Sequence, residues 1–136
     1  MRRARTACLL MALVVPIAGH AYEPQVNYQL HCMGCHLADG SGETDRVPSV
    51  RKTLVPFSML SDGRNYVLRV PGVAQSPLDD AEVAAVLNWM ARNLSDVPLP
   101  AGFKDYGAGE VKAVRGRPLA QVKELRQKLL GAPDGH

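Results

Sequence analysis

The chain has 136 residues, of which 46% are hydrophobic and 21% are charged, and this length and composition predict one small globular domain. Its formal net charge of +3 comes from Arg2, Arg3 and Arg5, because the residues after position 21 hold as many bases as acids. The chain therefore lacks the excess of cations that is typical of nucleic-acid-binding domains, and we predict no nucleic-acid partner.

The first 21 residues have the pattern of a signal peptide. Three arginines precede an apolar run over residues 7–17, and residues 19–21 place small side chains at the two positions that a signal peptidase reads. The apolar run is shorter than the roughly 20 residues that span a bilayer. We therefore expect cleavage after Ala21, export to the periplasm and no membrane span in the mature chain. Cleavage also removes Cys8, which leaves two cysteines and no disulfide framework.

A helix is predicted to begin at Pro24 and to lead into the sequence Cys32-Met33-Gly34-Cys35-His36, since proline is tolerated in the first turn of a helix. Two thiols lie three positions apart, and an imidazole follows the second directly. On a helical turn these three groups share one face, so the sulfurs can bond to the two vinyl groups of one porphyrin while the imidazole faces its iron. The spacing is typical of c-type haem attachment. We predict one haem c bound through Cys32 and Cys35, with His36 as an iron ligand.

Two other uses of the Cys-x-x-Cys spacing fit the surrounding sequence less well. A redox dithiol of the thioredoxin kind follows a strand in a βαβ unit, whereas the residues before Cys32 have helical spacing. A structural zinc ion takes four ligands. Outside the motif, the chain after position 21 offers only His31 and His136 as further imidazole donors.

The middle of the chain alternates between loops and short apolar segments. Glycines and prolines predict a loop over residues 37–48, and an apolar segment follows over residues 50–60, interrupted at Pro56. Residues 61–63 predict a turn. Residues 66–70 are compatible with a helix or an extended segment, and a second loop follows.

The clearest predicted helix runs from Asp80 to Leu94. It has an aspartate at its start and a glutamate in its first turn. Its apolar residues recur at helical spacing: Val83, Val86, Leu87, Met90 and Leu94. Another helix, opened by Pro118, is predicted near the C-terminus, with Leu119, Val122, Leu125 and Leu129 along one side.

These elements predict an all-α fold in which short helices surround a covalent haem. We assign residues 22–100 to the haem domain and residues 101–136 to a basic C-terminal helical extension, which holds seven bases against four acids. The extension either packs back on the domain through its apolar side or docks on an acidic redox partner. We favour packing.

Residues 28–36, followed by Asp39-Gly40-Ser41-Gly42, resemble the class I cytochrome c domain. In that family an N-terminal helix leads into the haem motif, and a glycine-containing loop follows. The predicted helix that carries Trp89 is similar to the last helix of the family, whose aromatic residue packs on the first helix. The resemblance covers residues 22–97.

The resemblance implies a small cytochrome c-like fold for the haem domain. It also implies thioether attachment at Cys32 and Cys35, with His36 as the proximal iron ligand. Haem attachment in this family takes place outside the cytoplasm, which agrees with the predicted signal peptide.

The chain departs from the family at the distal iron ligand. Class I domains usually supply a methionine from the loop before the last helix, and residues 70–77 contain none. Met33 lies within the motif, on the wrong side of the iron, and Met90 is expected to pack in the core. Met59 is a candidate ligand. The alternatives are an open distal side, one filled by water or a weak ligand, and an unexpected donor such as Gln75 or a residue of the C-terminal extension.

Three side chains are candidates for contacts with the haem propionates. Arg64 and Arg69 offer a guanidinium fork suited to carboxylates, and Tyr66 can reach a propionate with its hydroxyl. The alternatives are exposed arginines on a solvated face and a tyrosine half-buried in the core. Trp89 is expected to pack in the core and not to relay electrons.

We therefore predict an exported monohaem c-type cytochrome that carries single electrons between redox proteins and is not an enzyme. Its partners would be redox proteins such as a periplasmic dehydrogenase or an oxidase. One alternative is a five-coordinate haem protein that binds a small ligand or performs peroxide or nitrogen-oxide chemistry. Another is a haem subunit of a larger dehydrogenase complex, docked through residues 101–136.

Overall fold

The computed structural model of the chain describes residues 22–43 and 46–131. The signal peptide predicted over residues 1–21 lies outside the described residues. The described part contains seven helices and no strand, which confirms the all-α prediction. The helices are α1 (Pro24–His31), α2 (Leu54–Met59), α3 (Ser61–Arg69), α4 (Pro71–Ala74), α5 (Asp80–Asn93), α6 (Ala108–Val114) and α7 (Val122–Gly131). None of these seven combines the length and the apolar character of a bilayer-crossing helix.

Helix α5 begins where the sequence predicts. The carboxylate of Asp79 accepts a hydrogen bond of 2.8 Å from the backbone N–H of Glu82, and the Glu82 carboxylate accepts one of 2.9 Å from the backbone N–H of Asp79. This capping box satisfies two N–H groups that have no partner within the helix. The predicted apolar side is buried in the core.

Helices α1 and α5 pack together through an aromatic pair. The ring of Tyr28 is 1% exposed, and its centroid lies 5.5 Å from that of Trp89 at an interplanar angle of 41°. Offset aromatic pairs at this separation stabilise a contact beyond the area that they bury. The predicted packing of Trp89 is confirmed, and the pair holds the end of α1, and hence the motif that follows, against α5.

Two prolines lie in the first turn of a helix instead of ending segments. Pro56 is the third residue of α2, and Pro71 is the first residue of α4. The first N–H groups of a helix have no acceptor within it, so a proline there removes no hydrogen bond. The predicted interruption at Pro56 is therefore wrong, and the loop predicted after residue 70 contains a short helix.

The turn predicted over residues 61–63 is also wrong, because these residues form the first turn of α3. Asp62 lies near the positive end of the helix dipole, where an acid is favourable. Gly63 lies against α2 so closely that an added Cβ would overlap the carbonyl oxygen of Phe57. The glycine is needed for close packing of two helices, not for a turn.

The C-terminal extension is part of the core over its first half. Tyr106 and Val111 are 3% and 0% exposed. The Asn88 side chain of α5 exchanges two hydrogen bonds with the backbone of Tyr106, at 2.8 and 3.0 Å. Helix α6, which carries Val111, was not predicted, since Gly109 and the charges of Glu110 and Lys112 obscure any apolar stripe.

Helix α7 begins at Val122, four residues after the predicted opening at Pro118. Leu119, Val122 and Leu129 pack against the core. Leu125 is 36% exposed. The prediction that the extension packs back on the domain is therefore confirmed for Leu119, Val122 and Leu129.

Candidate functional site

The predicted haem motif lies on an irregular turn that continues α1. The backbone N–H of Cys32 donates to the carbonyl of Tyr28 at 2.9 Å, which prolongs the helical hydrogen bonding by one residue. The carbonyl of Cys32 then accepts from the N–H groups of Cys35 at 3.1 Å and His36 at 2.9 Å. These bonds form a turn that follows directly from the end of α1. The two sulfurs and the imidazole thus come from one compact turn, as the spacing requires.

The turn opens onto a cavity of about 420 Å³ that Cys32, Cys35 and His36 all line. The volume falls within the range of cofactor sites. Most of the wall is apolar, and it is drawn from several helices and the loops between them. Its apolar members include Leu54 and Phe57 of α2, Val67 of α3, Val73 of α4, Val83, Val86 and Leu87 of α5, and Val122 of α7. The structure therefore brings the three predicted site residues together at a large apolar space.

The imidazole of His36 has an unsatisfied ring nitrogen. Its Nδ1 atom is buried and has no hydrogen-bond partner among the described residues. Burial lowers the pKa of His36, which favours the neutral imidazole, the form that binds a metal ion. Buried polar atoms are normally paired, so an unpaired ring nitrogen beside an apolar cavity fits a site made for a metal-bearing group. The residues present are consistent with a haem.

The two alternative uses of the cysteines fit the geometry poorly. Burial, with a smaller contribution from Cys35, raises the pKa of the Cys32 thiol to about 11, whereas a reactive dithiol needs a lowered value. The segment before the motif is helix α1 and not a strand. Within residues 22–43 and 46–131, no three histidine, cysteine, aspartate or glutamate side chains cluster in a way that could hold a lone metal ion.

A hydrogen bond fixes the segment that leaves the motif. The Tyr28 hydroxyl donates to the carbonyl of Leu37 at 2.6 Å, one residue after His36. Burial raises the pKa of Tyr28, so this hydroxyl keeps its proton and remains a donor. Tyr28 therefore links α1, α5 and the chain that carries the imidazole.

The loop after the motif is closed by polar contacts. Asp39 accepts hydrogen bonds from the backbone N–H and the hydroxyl of Ser41, at 3.0 and 2.6 Å, and these bonds lower the pKa of Asp39. Gly40 has a φ of +82°, a conformation that favours glycine. Arg51 joins Asp39 to Asp96, with N···O distances of 3.2 and 2.5 Å. The backbone N–H of Val50 donates to the carbonyl of Gly40 at 3.0 Å, which ties this loop to residues 46–50 of the cavity wall.

The methionines occupy three different environments. Met59 is 43% exposed and is not among the residues that line the cavity. Met33 is 38% exposed and does not line it either. Met90 is buried in the core, as predicted, and contributes to the cavity wall. Gln75 is absent from that wall. The structure does not bring the candidate ligand Met59 to the site.

The arginines predicted to reach the propionates are engaged elsewhere. Arg64 forms a bidentate ion pair with Glu110, and its guanidinium lies 4.0 Å from the centre of the Tyr106 ring. Arg69 donates to the carbonyl of Arg117 at 2.7 Å. Neither lines the cavity. The exposed-arginine alternative is also wrong for Arg64, whose side chain is 13% exposed.

The cavity wall holds two arginines that sequence reasoning missed, Arg46 and Arg126, together with the predicted Tyr66. Tyr66 is 8% exposed, and burial raises its pKa while the neighbouring Arg126 acts in the opposite direction. A signal for Arg126 was present, because position 126 lies four residues after Val122, on the same side of a helix.

Comparison with known proteins extends the similarity beyond the motif. No family model matches the chain. Cytochrome c-552 of Thermus thermophilus is 32% identical over 118 residues, which covers 72% of this chain and 90% of that protein. A second cytochrome c-552, from a specified strain of the same species, is also 32% identical over 118 residues, with 72% of this chain and 80% of that protein covered.

Proposed function

The chain belongs to the c-type cytochrome family, and from this premise we propose that it carries single electrons between redox proteins through one haem. In the proposal Cys32 and Cys35 form thioether bonds to the haem, and His36 is an iron ligand. The observation that carries the proposal is that these three side chains meet at the wall of one apolar cavity.

When bound, the haem supplies a one-electron couple between the ferrous and ferric states of its iron. The chain fixes its position through a turn whose backbone bonds to α1. The apolar wall excludes water, and burial of this kind is one of the levers that set the reduction potential of a haem protein. A carrier built in this way transforms no substrate of its own, so we propose no enzymatic activity.

The proposal also places the protein in the periplasm, with residues 1–21 as a cleaved signal peptide. Its support is the basic start, the apolar run and the small residues before the cleavage point. The partners would be redox proteins such as a periplasmic dehydrogenase or an oxidase. N-terminal sequencing of the exported protein should begin at Tyr22. A mature chain that begins at Met1 would contradict this part of the proposal.

The attachment is tested by the intact mass of the purified protein. We expect the mature chain to carry the mass of one haem after extraction with acidified solvent, which removes haem that is not covalently bound. A variant with Cys32→Ala and Cys35→Ala should lose this mass. Met33→Ala, which changes the motif but keeps both thiols, should retain it. A bare polypeptide mass for the unaltered chain would overturn the proposal.

A second candidate function is binding of a small ligand to a five-coordinate haem. The positions of the methionines favour it, because Met59 lies outside the cavity wall and Met90 is the one methionine of the described residues within it. An open axial position permits ligand binding, whereas a second axial methionine raises the reduction potential and suits electron transfer.

Optical spectra separate the two functions. A six-coordinate carrier should give a low-spin ferrous spectrum that changes little when carbon monoxide is added. A five-coordinate protein should give a high-spin spectrum that shifts at once. Met90→Leu and Met59→Ala then identify a methionine ligand, since only the ligating residue alters the spectrum when it is replaced.

A further inference from the structure

Residues 70–78, which connect α3 to α5 and contain α4, form part of the cavity wall and are called the wall segment below. Six of them line the cavity: Val70, Pro71, Gly72, Val73, Ser76 and Leu78. The hydroxyl of Ser76 is the one polar side-chain group among these six, and it accepts a hydrogen bond of 3.3 Å from the backbone N–H of Leu78. The inner side of the wall segment is therefore apolar, and an opening here would admit uncharged molecules more readily than ions.

The wall segment has few internal contacts that could hold it in place. Helix α4 is four residues long, and none of its residues is buried. The backbone N–H groups of residues 73–76 donate to carbonyls of residues 70–73, within the segment itself. A single helical turn is marginal in water, and a segment with few buried contacts opens at a low cost in free energy. The position of the wall segment therefore depends on what holds its two ends.

The end nearest α3 is bound to the C-terminal extension. The Nε atom of Arg69 donates to the carbonyl of Arg117 at 2.7 Å. The carbonyl of Arg69 accepts a hydrogen bond of 2.9 Å from the backbone N–H of Leu119. These two bonds join the residue that precedes the wall segment to residues 117–119.

The end nearest α5 is bound to the same stretch of the extension. The Nη1 atom of Arg115 donates to the carbonyl of Leu78 at 2.8 Å, and its Nε atom lies 2.8 Å from the carboxylate of Asp80. The side chains of Arg115 and Asp80 are 21% and 28% exposed. This ion pair is thus partly shielded from water, and it contributes more than a fully solvated pair does. Residues 115–119 therefore hold both ends of the wall segment.

We propose that Arg115 is a positioning residue that keeps the wall segment closed over the cavity, and that the C-terminal extension thereby controls the entry of small uncharged molecules. The control of access to a haem rests on the proposed haem attachment, whereas the positioning of the wall segment does not. In the closed state Arg115 holds the end nearest α5, and Arg69 holds the end nearest α3. When these contacts break, α4 moves away with its own hydrogen bonds intact.

The positioning is tested by hydrogen exchange of the full-length protein, read by mass spectrometry in a peptide that covers the wall segment. We expect Arg115→Met to speed exchange there about tenfold, the factor that corresponds to the loss of one hydrogen bond from a charged donor. Arg115→Lys should recover part of this effect, because an ammonium group keeps the charge beside Asp80 without the planar fork. Arg69→Met should also speed exchange, since it frees the other end.

Arg92→Met is the matched control. Arg92 also joins α5 to the extension, through a contact of 2.6 Å with Asp105, but it has no hydrogen bond to the wall segment. Its replacement lowers the free energy of unfolding for the closed and the opened protein alike, so exchange in the wall segment should stay unchanged. Unchanged exchange in Arg115→Met, or equal acceleration in Arg115→Met and Arg92→Met, would overturn the proposal.

Access is tested with imidazole as a small uncharged probe, added to the ferric protein at alkaline pH and followed by Soret absorbance. We expect imidazole to bind about tenfold faster in Arg115→Met, in proportion to the opened fraction, and at an unchanged rate in Arg92→Met. Faster exchange without faster imidazole binding would overturn the control of access. If the intact mass shows no haem, the proposed function fails together with the access to it, and the exchange comparison still decides the role of Arg115.

Discussion

Replacement of Arg64 by methionine should show that residues 101–131 fold as one unit with the helices that precede them. The guanidinium donates to Glu110 at 2.7 and 2.6 Å and to the carbonyl of Lys104 at 2.7 Å. It also stacks on Tyr106 at 4.0 Å. Arg64→Met removes all of these interactions and keeps most of the aliphatic stem. It therefore cuts the polar link between α3 and the extension with little change in volume.

The decrease in the free energy of unfolding in Arg64→Met can be bounded from the geometry. Hydrogen bonds to charged groups contribute about 1.5–3 kcal/mol, and breaking a fully buried pair costs about 3–5 kcal/mol. The Glu110 side chain keeps 32% of its exposure, so water compensates in part when the arginine is gone. We expect a loss of about 2–3 kcal/mol, between these limits. Arg92→Met is the matched control. Its pair with Asp105 is 44% and 54% exposed, and such pairs contribute about 0–1 kcal/mol.

The assay is urea unfolding of the ferric protein at pH 7, followed by Soret absorbance and by far-ultraviolet circular dichroism. The two signals should give coincident transitions in the unaltered protein and in Arg64→Met, with a lower midpoint in the variant. Equal losses in Arg64→Met and Arg92→Met would refute the reasoning. So would a circular-dichroism transition well below the Soret transition, because the extension would then melt alone.

Three further predictions concern single positions. Gly63→Ala should destabilise the protein by about 2–3 kcal/mol in urea unfolding, because the new methyl group overlaps the Phe57 carbonyl. Tyr28→Phe should lower the free energy of unfolding by about 1 kcal/mol, since the hydrogen bond to the Leu37 carbonyl is removed. The pKa of Glu110 is held below its ordinary 4.5 by its arginine partner. The ionised Glu110 therefore stabilises the fold fully above about pH 4.5, and this stabilisation is lost as the pH falls through the lower pKa of the folded state. The free energy of unfolding should thus exceed that of Glu110→Gln by less in acid than at pH 7.

Each of these three predictions has a control or a result that would contradict it. An added Cβ at Gly109 meets no atom within 4 Å, and Gly109→Ala should lower stability by less than about 0.5 kcal/mol. Equal losses at Gly63 and Gly109 would contradict the close-packing argument. Tyr22 is 62% exposed, and Tyr22→Phe should be neutral. If Tyr28→Phe is neutral too, the Leu37 bond does not stabilise the fold. A difference between Glu110 and Gln that is constant from pH 3 to pH 7 would contradict the pKa assignment.

The local parts of the structure were predictable from the sequence. The predicted haem motif consists of five consecutive residues. The start of α5 is indicated by the capping residues Asp79 and Glu82. Errors arose where a local signal has two meanings. Pro56 can end a segment or lie in the first turn of a helix, and Gly63 can mark a turn or a close contact. For Gly63 the deciding neighbour, Phe57, lies in another helix.

The environment of the site was harder to predict, because it depends on contacts between distant residues. Arg64 looks available for a propionate until Glu110, 46 positions later, is placed beside it. Arg126 looks like one charge of a solvated helix until α7 is seen to line the cavity. The motif gives the chemistry of the proposed attachment, whereas only the assembled helices show which side chains surround it.

The position of α7 in the cavity wall has a consequence for the order of events during biosynthesis. Val122 and Arg126 leave the ribosome, and would cross a membrane, some 90 residues after Cys32. Chains grow at roughly 5–20 residues per second, so in a chain exported as it is made the two thiols would be exposed for several seconds before the final wall could close over them. An enzyme that joins haem to the cysteines would meet an unfinished, accessible cleft, and the last helix would then seal the product.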